Sequence, residues 1–175
     1  RGILVKGGAA LEAAGRLKAL AFDKTGTLTE GRPVLSRVAP LGGREETDVL
    51  ALAAALERRS EHPLAHAILA AGAELAANGS GLPPVTGFRS VAGRGAEGVV
   101  DGTRYLIGSP RFFAERGIDL DEAAGAPERI ERAGETPVIL GSEEGPVAVF
   151  GLTDAVRPDA RATLDALREA GVGDL

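Results

Sequence analysis

A short, mostly apolar run, Leu17-Lys18-Ala19-Leu20-Ala21-Phe22, ends on Asp23 and is followed at once by Lys24-Thr25-Gly26-Thr27. No other junction in the chain constrains the fold as strongly. In open parallel α/β sheets, functional groups lie just beyond the carboxyl ends of strands. The run therefore predicts a parallel α/β layer with Asp23 at its functional edge.

The residues after this opening change character. A helix is predicted from about Thr47 to Arg59, capped by Thr47 or Asp48 and given a partial apolar face by Leu50, Leu52 and Leu56. The break Ser60-Glu61-His62-Pro63 ends it, and Pro63 suits the first turn of a second helix running to Ala77. A loop follows over Asn78–Pro84. From Val85 to Ile107 the pattern becomes β-like, with Asp101-Gly102 as a hairpin signal. Short helices are predicted near Pro110–Arg116 and Pro127–Ala133, strands at Pro137–Leu140 and Val147–Leu152, and an amphipathic helix over Pro158–Ala170, closed by Gly171. A strand and loop at the start and a helix at the end thus flank a central α+β insert.

Composition excludes several classes. With no Cys and no Met, the chain can form neither a disulfide nor a thiolate or thioether metal site. A net charge of −5 without a Lys/Arg run argues against nucleic acid as a partner. Aromatics make up only 3%, so the core is expected to be built from Ala, Leu, Val and Ile. No stretch approaches the ~20 apolar residues of a membrane span. The start at Arg1, with neither an initiator Met nor a signal pattern, reads as a piece cut from a longer chain.

The most specific string is Asp23-Lys24-Thr25-Gly26-Thr27-Leu28-Thr29. It resembles the phosphorylation motif of P-type ATPases, cation pumps whose catalytic domain has a haloacid-dehalogenase-like fold. The chemistry suits the residues. A carboxylate at a strand end can attack the γ-phosphate of ATP to give an acyl phosphate, and two approaching anions need Mg2+ and Lys24 to offset their repulsion. The resemblance implies that Mg2+ is held by the Asp23 carboxylate and the Thr25 carbonyl, with Thr27 bonding the phosphoryl group. Phosphatases of the same superfamily place a second aspartate, an acid–base, where this chain has Thr25. Its absence favours a longer-lived phosphoenzyme, as a pump requires.

Ser60-Glu61-His62-Pro63-Leu64 resembles a signature of the heavy-metal branch in particular. The resemblance implies that His62 orients ATP and that Glu57 contacts the adenine end. On its own His62 also reads as a helix cap, and His66 as a surface residue. Gly93-Arg94-Gly95-Ala96-Glu97-Gly98 has the spacing of a dinucleotide fingerprint, but a strand and turn follow it rather than a helix, which excludes that reading. The family instead has a G-x-G loop here that lets nucleotide approach bare backbone, matched by Gly93 and Gly95; a plain turn role stays open. Gly108 matches a family Gly-Asn pair in which this chain has Ser109. Asp154 and Arg157 match the pair at the re-entry to the phosphorylation domain, and read as a hinge or as a surface ion pair.

The expected architecture is α/β: a haloacid-dehalogenase-like, Rossmann-like phosphorylation domain, incomplete, over 1–34 and 152–175, with an inserted α+β nucleotide-binding domain over 35–151 built on an antiparallel sheet. The resemblance implies ATP and Mg2+ as cofactors. It implies as partners the membrane and actuator domains of the same parent chain, a cytoplasmic position on an integral membrane protein, and no transported-metal site in this segment. Tyr105–Phe113 leans towards a divalent ion such as Zn2+, Cd2+ or Co2+ over copper. The segment alone is not expected to turn over. Two rivals stand beside this reading: a stand-alone phosphatase of the same superfamily, and a nucleotide-binding module without turnover.

Overall fold

The computed structural model describes residues 4–77 and 81–175. Residues 1–3 and the predicted loop residues Asn78–Ser80 lie outside them. The chain divides into two compact units, one of residues 1–31 with 155–175 and the other of residues 32–154.

The opening helix α1 (Gly8–Ala14) has no buried residue. A single π-type turn spans Lys24–Leu28 and leads into β1 (Thr29–Pro40). Next come α2 (Glu46–Glu57) and α3 (Pro63–Ala77), then β2 (Thr86–Val91), β3 (Gly95–Val100) and β4 (Thr103–Gly108). After α4 (Pro110–Glu115), a 3-10 turn leads to α5 (Ala126–Arg132), then β5 (Thr136–Ser142), β6 (Gly145–Val156) and α6 (Ala160–Glu169).

The larger unit is built on a six-stranded sheet in the order β1-β6-β5-β4-β3-β2, with antiparallel pairing from β2 through to β6. Its central strands read as continuous apolar runs because both faces are covered. Side chains alternate across a strand with period two. Val138 and Leu140 of β5 and Ala148 and Phe150 of β6 join the core with α2 and α3. Their neighbours Ile139 and Val149 join the core under α4 and α5. Leu106 and Ile107 of β4 divide the same way.

Small residues let α2 and α3 pack closely. A Cβ on Gly72 would overlap that of Ala54, and Ala53, Ala54, Ala65 and Ala67 are all buried. The expectation of an aliphatic core is met in most positions but on neither side completely, since Phe150 lies in this core and Phe112 and Phe113 in the other. Phe112, Phe113 and Phe150 are among the largest fully buried side chains, Phe112 and Phe113 meeting edge to face. Few aromatics are present, five Phe and one Tyr, and three of these six are fully buried.

Three local expectations are corrected. The helix α2 begins at Glu46 with Glu45 as its cap, so Thr47 and Asp48 lie in its first turn instead. The run Leu17–Phe22 forms no strand: Ala19 makes one parallel bridge to Asp174, supported by the Leu20 N–H donating to the Asp174 carbonyl at 2.9 Å and the Gly173 N–H to the Lys18 carbonyl at 2.9 Å. A parallel ladder needs neighbours along its length, and the described residues supply this stub of one. Conversely, β1 had no strand signature, since Gly31 and Pro33 interrupt it; as an edge strand it tolerates both.

Candidate functional site

In the larger unit, a cleft of about 480 Å3 opens between the α2–α3 junction and the ends of β2, β3, β4 and β5. Glu57, His62, Gly93, Gly95 and Gly108, which come from distant parts of the sequence, all line it. Ser60, Arg94, Ser109 and Thr136–Val138 complete much of the wall.

Local chemistry explains how each is placed. Glu57 is the last residue of α2, and its side chain is only 7% exposed. Burial pushes its carboxyl up from the ordinary range, opposed in part by a hydrogen bond with Ser60. An acid held against desolvation beside a cleft is poised to meet a ligand donor. His62 caps α3: its Nδ1 accepts the Leu64 N–H at 3.2 Å, and its carbonyl accepts from Ala65 at 3.0 Å. His66 is an exposed helix residue.

The three glycines differ in what they require. Gly93 has φ +69° with open space where a Cβ would be, so its constraint is the left-handed turn and its bare face is free for a ligand. Gly95 and Gly108 face each other across β3 and β4. A Cβ on Gly95 would collide with the Ile107 carbonyl, and one on Gly108 with the Arg94 carbonyl. Close strand approach alone therefore demands these two glycines. Ser109 lines the cleft and uses its hydroxyl to accept the Phe112 N–H at 3.3 Å, capping α4.

The smaller unit carries the loop after Asp23. Asp23 and Lys24 are exposed, as is Thr27. Thr29, 4% exposed, ties the loop to itself: its hydroxyl accepts the Gly26 N–H at 3.1 Å and donates to the Lys24 carbonyl at 3.0 Å. Arg157 clamps it from the other end of the chain. Its Nε donates to the Thr27 carbonyl at 3.0 Å, its Nη2 to the Gly26 carbonyl at 3.1 Å, and its own N–H to the Leu28 carbonyl at 2.9 Å. Asp154 acts in the larger unit, where its carboxylate accepts the Arg32 N–H at 3.0 Å. Sequence reasoning assigned no role to Thr29 or Ser60. Thr29 stood inside the motif string, but only its burial and bonds reveal the knot.

Both halves of this picture have relatives. The family model for haloacid dehalogenase-like hydrolases matches residues 17–175, and the chain belongs to that family. Within it, the chain is homologous to the catalytic region of heavy-metal P-type ATPases. It is 39% identical over 171 residues to the copper-exporting P-type ATPase B of Archaeoglobus fulgidus, covering 98% of this chain and 24% of that protein. It is 40% identical over 176 residues to a probable cadmium-transporting ATPase of Alkalihalophilus pseudofirmus, again covering 98% of this chain and 24% of that protein. The crystal structure of a zinc-transporting PIB-type ATPase in the E2.Pi state superposes on all of this chain and 28% of its own, with a TM-score of 0.70 and 37% identity. The chain thus spans about a quarter of the length of these curated relatives. No described helix is long and apolar enough to cross a membrane.

Proposed function

We propose that this chain is the ATP-binding and phosphorylation region of a heavy-metal cation pump, with nucleotide capture in the unit 32–154 and phosphoryl acceptance on Asp23. The observation that carries the reading is the cleft that gathers Glu57, His62, Gly93, Gly95 and Gly108. Its wall suits a nucleotide: a buried acid and a capped imidazole at one side, and a glycine turn with bare backbone at another.

In the proposed reaction a carboxylate oxygen of Asp23 attacks the γ-phosphorus of ATP. The bond from that phosphorus to the bridging oxygen breaks and ADP leaves, so the aspartyl phosphate and ADP account for every atom. Lys24 offsets the repulsion between the two anions, and the Thr27 hydroxyl donates to a phosphoryl oxygen. Arg157 and Thr29 fix the loop so that these groups need not reorganise during transfer. With Thr25 where a phosphatase has its acid–base, water is poorly activated and the phosphoenzyme persists.

The donor set at the loop is oxygen only, the chemistry that Mg2+ prefers. The Asp23 carboxylate and the Thr25 carbonyl would hold it. Bound there, Mg2+ supplies charge neutralisation at the transferring phosphoryl group.

The membrane and actuator domains of the parent are the proposed partners, and the cytoplasmic face of the membrane the proposed location. A lean towards a divalent cargo rests on Tyr105–Phe113 alone, and Phe112 and Phe113 are buried packing residues there.

Calorimetric titration of ATP into the chain and into its His62→Gln variant tests the reading. Weaker binding by the variant, with circular dichroism unchanged, is expected. Equal affinities would sink the assignment of His62.

A further inference from the structure

The nucleotide reading leaves two charged side chains in the cleft wall without a role, the acidic Glu61 and the basic Arg94, and only the second can attract a phosphate. Arg94 stands between Gly93 and Gly95 and lines the cleft with Gly108 and Ser109. Its backbone is pinned on both sides: its N–H donates to the Val91 carbonyl at 3.0 Å, and its carbonyl accepts the Ser109 N–H at 3.1 Å. The root of the side chain is therefore fixed, while the side chain itself remains 44% exposed.

The guanidinium pairs with Glu115 near the end of α4. Glu115 also accepts from Arg111 Nε at 2.9 Å, so two guanidinium groups share one carboxylate. The surplus is one positive charge, held at a cleft in a chain of net charge −5. A guanidinium beside exposed backbone of a glycine turn matches the planar, bidentate chemistry of a phosphate group. A carboxylate such as Glu115 offers the same oxygen geometry and so competes for it.

We propose that Arg94 is a specificity-determining residue that meets the phosphate tail of a nucleotide bound in the cleft, and that Glu115 competes with that tail for its guanidinium. The inference rests on the nucleotide reading above and adds to it a sign: removing Arg94 weakens triphosphate binding, and removing the charge of Glu115 strengthens it. A purely structural ion pair would make both substitutions act in the same direction.

The test is calorimetric titration of the whole 175-residue chain with ATP and, separately, with adenosine. Arg94→Gln is expected to weaken ATP binding about three- to tenfold, the range for a charge-assisted contact that water partly screens. Adenosine binding should not change. Glu115→Gln is expected to tighten ATP binding about two- to fivefold, with adenosine again unchanged. Both effects should shrink as salt is raised towards roughly 1 M, where the screening length falls to about 3 Å.

Equal ATP affinity in Arg94→Gln and the parent chain would overturn the inference. So would equal losses for ATP and adenosine, because Arg94 would then be holding the turn rather than a phosphate. Weaker ATP binding in Glu115→Gln would refute the competition. If the parent chain binds neither ligand, the nucleotide reading falls and this inference with it. If His62→Gln weakens both ligands while Arg94→Gln changes neither, the nucleotide reading stands and only this inference fails.

Discussion

Replacing Glu97 by Gln changes a charge and almost no volume, at the most heavily paired carboxylate among the described residues. Glu97 lies on β3, with its side chain 5% exposed. It accepts from Arg89 Nε at 2.7 Å and Arg116 Nη1 at 2.8 Å, with Arg104 at 3.9 Å. Arg116 also stacks on Phe112, its guanidinium carbon 4.9 Å from the ring centroid, so the pair reaches into the core under α4. Removing one member of a buried ion pair costs about 3–5 kcal/mol, and a hydrogen bond to a charged group about 1.5–3 kcal/mol. The Arg89 side chain is 64% exposed and that of Arg116 31%, so water can recover part of the loss. About 2 kcal/mol is therefore expected at pH 7 for the unit 32–154, read as a fall in urea midpoint at unchanged slope.

The pH dependence supplies a second, independent check. Burial opposes ionisation of Glu97, but hydrogen bonds and charge from Arg116 and Arg89 outweigh it and hold the carboxyl below its ordinary value of 4.5. A depressed folded value means that the stabilisation is fully present above the unfolded value and is lost as pH falls through the folded one. The gap between parent chain and variant should therefore be full at pH 7 and close progressively below about pH 4.5. An unchanged midpoint at pH 7, or a gap of constant size down to pH 3, would refute the reasoning.

Two further outcomes are expected. Glu57 has its carboxyl pushed up by burial, so its contribution is greatest below pH 4.5 and is lost as pH rises through the raised value; Glu57→Gln should raise the thermal midpoint at pH 7 and weaken ATP binding, and a lower midpoint there would contradict the burial argument. Arg157→Ala removes two hydrogen bonds from an exposed guanidinium to the loop after Asp23, about 1–2 kcal/mol of local order, so amide exchange at Gly26 should speed up roughly tenfold; unchanged protection there would show that Thr29 holds the loop unaided.

The elements that sequence reasoning found are those whose local signals agree with their tertiary setting. Asp101-Gly102 specifies its hairpin because both residues take positive φ, +49° and +81°, as the tight turn demands. Pro63 starts α3 because its missing N–H is needed nowhere. The edge strand β1 escaped because an edge relaxes the pattern: its exposed face and Pro33 read as loop. The run Leu17–Phe22 was over-read because apolar character reports burial potential, whereas a strand also needs partners for its backbone. Five residues singled out from the sequence meet in one cleft, and they were legible through resemblance and not through spacing, since they are scattered from position 57 to 108. The Arg94–Glu115 pair and the arginine cluster on Glu97 were not legible at all. Their partners are brought together by strand register and by the packing of α4, neither of which leaves a periodic trace in the chain.

The cap on α3 has a consequence for recognition. Because Nδ1 of His62 receives the Leu64 amide hydrogen, that nitrogen must keep its lone pair, and the neutral ring carries its proton on Nε2. Whatever the free edge of this imidazole meets therefore encounters a hydrogen and not a lone pair. An adenine ring offers unprotonated nitrogens that can accept it, whereas its amino group presents only hydrogens of its own. Under the nucleotide reading proposed above, a purine meets the Nε2–H of His62 with a ring nitrogen and not with the hydrogens of its amino group.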